Sequence, residues 1–213
     1  MRGSKGRHEG HLKFVLAIGL AIIVFGILLI AVGLPAYRAQ RFMLGFRRLQ
    51  VGQSSFEDVK RFALQNGGIA VPIRDPPAEC AAAYCQFGFT FYNTWLQRLK
   101  LAPDMRFIAF MTIENNKLTA AEINMVCNGP TRFEQVFVRE RQESHTGEAY
   151  KLVSYFGAPR LGIEMTPDAA QEKREAAFQV KVSCLAKIGG CPEPHDRIPA
   201  IPVNTGNSLE RER

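Results

Sequence analysis

The chain has 213 residues, with 27 Lys/Arg, 20 Asp/Glu and a formal charge of +7, which leaves room for one ordinary globular domain. The excess charge is local: residues 1–13 carry four basic residues against one acid, residues 38–61 carry six against two, and residues 62–213 balance at 17 against 17. An electrically balanced folded part argues against the basic face that a nucleic-acid partner needs, so no nucleic acid is expected.

A basic tail, residues 1–13, precedes 21 residues without a charge, from Phe14 to Leu34. At about 1.5 Å per helical residue this run covers roughly 31 Å, close to the ~30 Å hydrocarbon core of a bilayer. The lipid bilayer is therefore the first expected partner, crossed once by a signal-anchor helix over residues 14–35. Cleavage is disfavoured, since the best site follows Ala36, with bulky Leu34 upstream and Arg38 just beyond. Gly19, Gly26 and Gly33 recur at every seventh position and offer a small-residue seam to another helix. Residues 36–50 then form a basic juxtamembrane segment, read as a helical extension or an interfacial stretch. Its Arg38, Arg41, Arg47 and Arg48 interleave with Phe42, Leu44, Phe46 and Leu49, and they are the expected membrane-surface contacts.

The globular domain is expected over residues 51–191. Ser54 or Ser55 precedes Glu57 or Asp58 by three residues, a capping box for a helix carrying Phe56, Val59 and Ala63 and stopped by Gly67-Gly68. From Val51 to Gly68 this opening resembles that of small envelope lipoprotein domains of outer-membrane assembly factors. No cysteine for lipidation stands near the N-terminus, so no site or activity follows from the resemblance.

Beyond Gly68 the apolar period changes to two. "IAVPI", "QFGFTFY" and "RFIAFMTI" read as strands, and the "ENNK" turn leads into "LTAAEINMVC", with Ala121, Ile123, Met125 and Cys127 on one side. "RFEQVFVRER", "AYKLVSYF" and "AFQVKVSCL" alternate likewise, and "TPDAAQEKREAA" between the last two reads as a helix. The fold class expected is α+β: a single transmembrane helix followed by a mainly antiparallel sheet with one or two packed helices. Residues 192–213, with Pro192, Pro194, Pro199 and Pro202, read as a flexible tail.

Four basic residues on each flank leave the positive-inside comparison tied. Cysteine spacing separates the alternatives. Cys80 with Cys85 and Cys184 with Cys191 are close pairs suited to local disulfides, which persist in an oxidising compartment. A four-cysteine zinc site favours C-x2-C spacing, which neither pair has, and reduced thiols are the remaining alternative. Cys127 is expected as a buried thiol outside the pairs. With disulfides, the N-terminus is cytoplasmic and the domain extracytoplasmic.

No G-x-S-x-G, H-E-x-x-H, P-loop or dinucleotide motif occurs, and no catalytic residue, cofactor or metal ligand set is assigned. His145, in a loop, and His195, in the expected tail, are the histidines beyond the span. Two functional classes follow. One is a membrane-anchored interaction or structural module of a bacterial cell envelope, meeting a protein partner through a sheet edge or the glycine seam. The other is a membrane-tethered, hydrolase-like enzyme with an unrecognised site. A cytoplasmic-facing module is the variant without disulfides.

Overall fold

The computed structural model describes residues 5–71, 80–128, 133–143, 148–155, 160–191 and 193–201. Helix α1, Lys5–Phe46, is continuous through the apolar run and well past it. Its most apolar stretch has a mean hydropathy of 3.2 and is long enough to cross a membrane, and none of that stretch is buried by the protein. Below it the helix changes role. Ala39, Phe42, Met43 and Phe46 fall at the i, i+3, i+4, i+7 spacing of one helical stripe, and all four are buried.

Residues 36–46 extend the helix, as one of the two expected readings had it, but they are a core helix of the domain rather than an interfacial stretch, and the packed part of the chain begins upstream of Val51. The reason is aromatic packing. Phe42 is fully buried and meets the rings of Phe46, Phe62, Phe89, Phe91 and Phe107 at centroid distances of 4.7 to 5.8 Å, within the range in which tilted and edge-on ring pairs attract.

Helix α2, Phe56–Asn66, begins with the expected box: the Asp58 amide donates to Ser55 Oγ and the Ser55 amide donates to Asp58 Oδ2. It ends at Gly67, whose φ of 70° is the left-handed conformation that glycine adopts without strain. Among the described residues seven strands follow: β1 Ile69–Ala70, β2 Tyr84–Tyr92, β3 Asp104–Glu114, β4 Lys117–Asn128, β5 Phe133–Arg141, β6 Tyr150–Tyr155 and β7 Arg160–Met165. Between β2 and β3 lies the short helix α3, Thr94–Arg98. The β3–β4 connection is a two-residue turn in which Asn115 and Asn116 both have positive φ, 50° and 65°. That conformation matches the right-handed twist of the paired strands.

The strand order is β1-β2-β3-β4-β5-β7-β6, antiparallel throughout except for β5 beside β7. Strand β7 was not anticipated. Gly162 at its centre hides the alternation, and it is required there: a Cβ would meet the Phe137 ring of the neighbouring strand at 2.5 Å.

One face of the sheet carries Phe87, Phe89, Phe107, Met111, Ile123, Met125, Val138 and Ile163, all buried. The covering layer contains the lower half of α1, helix α2 and the chain after β7. That last segment holds helix α4, Gln171–Ala177, a 3-10 turn at Val182–Ala186 and helix α5, Pro194–Arg197.

Two expectations fail in this segment. "AFQVKVSCL" is not a strand. Phe178, Val180, Val182 and Cys184 are buried and the residues between them exposed, so its period of two holds. It runs across α1 instead of joining the ladder, because its buried side chains pack on the covering layer formed with that helix rather than beside an edge strand. Nor is the chain after Cys191 wholly a flexible tail: Arg197, Ile198 and Ile201 have no exposure at all. Residues 202–213 lie outside the described residues, as does His145.

Candidate functional site

The two close cysteine pairs are bonded, Cys80 to Cys85 with Cα atoms 4.7 Å apart and Cys184 to Cys191 at 5.3 Å. Cys127 lies outside both bridges and is half-buried rather than buried. The reason is its place one residue before the end of β4, between half-buried Val126 and exposed Asn128. Among the described residues no group of His, Cys, Asp or Glu could hold a metal ion.

The four arginines expected at the membrane surface are all exposed but spread along α1 and beyond its end. Arg38 follows the apolar run closely. Arg47 stands 13 residues past Leu34, about 20 Å along a helix, which exceeds the ~10 Å Debye length over which headgroup charge acts. The side chain of Arg47 has another task. Its Nε and Nη2 donate to the Phe178 carbonyl at 3.1 and 2.7 Å, closing the open end of α4. Arg48 lies next to it, at the same distance from the run.

Around Arg47 the end of α1, the 50–53 loop, the end of β5 and helix α4 enclose a cleft of about 490 Å³. Glu140 projects from the core face of β5 and is 1% exposed. Arg174 Nε donates to its Oε1 at 2.8 Å, and Arg174 Nη2 donates to the Leu49 carbonyl at 3.1 Å. The Arg174 guanidinium also lies 5.4 Å from the centre of the Phe178 ring, within cation–π range. Glu140 Oε2 has no hydrogen-bond partner among the described residues. A buried carboxylate oxygen without a donor is costly, which singles out this wall of the cleft.

Gln50, Gln53, Gln171, Gln179 and Glu175 complete the polar lining, and no Ser, Thr, Cys or His is among the residues that line it. Such a lining can accept and donate hydrogen bonds. It offers no side chain of the usual nucleophilic kind. Sequence reasoning passed over Glu140 because it occupies one position of a charged run, "RER", that a solvated strand end explains equally well.

A second buried ion pair fastens the C-terminal segment. Arg197 Nη2 donates to the Glu134 carboxylate and its Nε to the Cys191 carbonyl at 3.0 Å, while the Lys181 amide donates to the Arg197 carbonyl at 2.8 Å. This arrangement holds the Cys184–Cys191 loop and the 3-10 turn against the sheet.

The joint between the apolar run and the domain is a third polar site. Asn93 is 4% exposed. Its Nδ2 donates to the Val32 carbonyl at 2.8 Å and to the Leu185 carbonyl at 2.9 Å, while its Oδ1 accepts from the Leu96 amide at 3.1 Å. One amide thus ties the last turns of the apolar run to α3 and to the 3-10 turn. The glycines of the expected seam, Gly19, Gly26 and Gly33, have nothing within 4 Å of a Cβ. Comparison with protein-family models, curated proteins and solved structures finds no match to this chain.

Proposed function

We propose that the chain is a single-pass membrane protein whose α+β domain stands on the extracytoplasmic side of a bacterial-type envelope and serves as a binding or structural module held at a fixed height above the bilayer. The observation that carries this reading is the double use of α1, whose upper part is unburied by protein and whose lower part is the domain's core. An anchor joined through a linker lets its domain swing. An anchor continuous with the core stripe holds it in one pose. The two disulfides support the external side, because cytosolic thiols are kept reduced.

Thiol tagging in denaturant, on material from intact cells with and without reductant, tests the side. Of the five cysteines, one should be labelled before reduction and all five after. Labelling of all five without reduction would overturn the external placement in favour of a cytoplasmic-facing module. The membrane-tethered enzyme has one supporting observation, the unpartnered Glu140 oxygen in the cleft. The polar lining favours binding of a small hydrogen-bonding ligand over chemistry upon it.

A further inference from the structure

The Asn93 joint places two loops beside the last turns of the apolar run, and both expose large apolar side chains. In and after α3, Trp95 is 44% exposed, Leu99 55% and Leu101 42%. In the loop closed by the Cys184–Cys191 disulfide, Ile188 is 68% exposed. The loops are joined to each other, since the Gly189 amide donates to the Leu101 carbonyl at 2.9 Å. They are joined to the span through Asn93, which bonds Val32 on one side and the chain of both loops on the other. Arg98, Lys100 and Lys187 are exposed among these residues. The acid nearest to them in sequence, Asp104, already accepts from Gln97 and Arg106.

A soluble surface rarely gathers Trp, Leu and Ile in water at one end of a domain. Tryptophan with basic neighbours is instead the composition favoured where headgroups meet acyl chains. We propose that Trp95, Leu99, Leu101 and Ile188 form a collar seated in the interfacial layer of the bilayer that α1 crosses, with Arg98, Lys100 and Lys187 against anionic headgroups. The proposal rests on the anchor reading above. Its occupant follows from continuity, because Val32 belongs to the apolar run and α3 begins within one hydrogen-bonded residue of it. The collar gives the Cys184–Cys191 bridge a task, that of presenting Ile188 at a fixed depth. It also gives the domain a second foothold, so that the Glu140 cleft near the far end of α1 faces away from the membrane.

Trp95 is the sole tryptophan of the chain, so native fluorescence excited on the long-wavelength side of tyrosine absorption reports it alone. The full-length protein would be reconstituted in phosphatidylcholine–phosphatidylglycerol vesicles carrying nitroxide lipids labelled near the headgroup or deep in the acyl chain. A parallel sample would be floated after an alkaline wash to test the anchor. The expected result is co-flotation, a blue-shifted emission, quenching several-fold stronger from the shallow nitroxide than from the deep one, and protection from aqueous iodide. If the protein floats but iodide quenches Trp95 as it does in the denatured chain, the collar is wrong and the anchor stands. Quenching stronger from the deep nitroxide also overturns an interfacial seat. If the wash strips the protein from the vesicles, the anchor reading fails and the collar falls with it. In the Leu99→Ser, Ile188→Ser double variant, iodide quenching of Trp95 should rise severalfold; an unchanged value would show that these residues do not share a seat with it.

Discussion

Arg197 shows how a single side chain decides whether a segment belongs to the domain. Its guanidinium is wholly buried against Glu134, itself 7% exposed, in a region that apolar residues otherwise dominate. Removing one partner of such a pair leaves an uncompensated buried charge, whereas removing both is much less costly. Arg197→Met should therefore destabilise the protein by roughly 3–5 kcal/mol, and Glu134→Gln added to it should recover a large part of the loss. Urea unfolding of the detergent-solubilised chain measures both, and a neutral Arg197→Met would show that the pair does not fasten the segment.

Asp58 acts at the opposite extreme of exposure. Its side-chain hydrogen bond from Ser55, followed by the Ser55 backbone bond, holds its carboxyl below the ordinary 3.8. A depressed carboxyl favours the folded state above pH 3.8, and that contribution is lost as pH falls through the lower folded value. An NMR titration should place the Asp58 midpoint below that of Ser55→Ala, in which the carboxyl returns toward 3.8. Equal midpoints would mean that the box is absent in solution.

Among the elements, α1 carries the most unusual combination of tasks. Pro35 lies inside it, and proline removes the bond to the carbonyl four residues earlier while its ring crowds that turn. In the same turn, the Val32 carbonyl takes the Asn93 amide, so the helix is supported from outside where it is weakest within. Asn93→Asp keeps the oxygen that accepts from the Leu96 amide but replaces the donor to two carbonyls by a carboxylate facing them at 2.8 and 2.9 Å. It should lower the unfolding midpoint markedly more than Asn93→Ala, by the cost of a charged group facing like dipoles. A second expectation concerns boundaries. A fragment beginning at Val51 lacks Ala39, Phe42, Met43 and Phe46 and exposes the aromatic cluster they cover, so it should aggregate. A fragment of residues 32–201 retains the stripe and should unfold cooperatively in mild detergent. Cooperative folding of the shorter fragment would show that the α1 stripe is dispensable.

For the whole molecule, rigidity at the joint has a geometric consequence. Arg47, at the mouth of the cleft, lies about 20 Å along the helix from Leu34. On the anchor reading proposed above, the Glu140 cleft lies on the aqueous side of the bilayer rather than in lipid. Features that depend on short stretches of chain were legible before any tertiary contact was known. The helix long and apolar enough to cross a membrane follows from 21 uncharged residues, α2 from Ser55, Asp58 and Gly67, the β3–β4 hairpin from two asparagines that tolerate positive φ, and both disulfides from proximity along the chain. Each of these is settled by residue types and interactions close together along the chain.

The remainder required the assembled fold. The stripe of Ala39, Phe42, Met43 and Phe46 could have faced lipid or protein, and only the aromatic partners supplied by β2, β3 and α2 choose protein. The alternation of Phe178, Val180 and Val182 reports one buried side. Whether a ladder forms depends on what lies beside the backbone, and here the neighbour is α1 rather than a strand. Arg197 and Glu140 look like ordinary surface charges in the sequence, because burial of a charge is affordable only beside a partner distant in the chain, 63 residues away for Arg197 and 34 for Glu140. Local chemistry along the chain thus determined the long apolar helix, the capped helix and the bridges, while long-range packing alone decided where the domain begins and which charges it encloses.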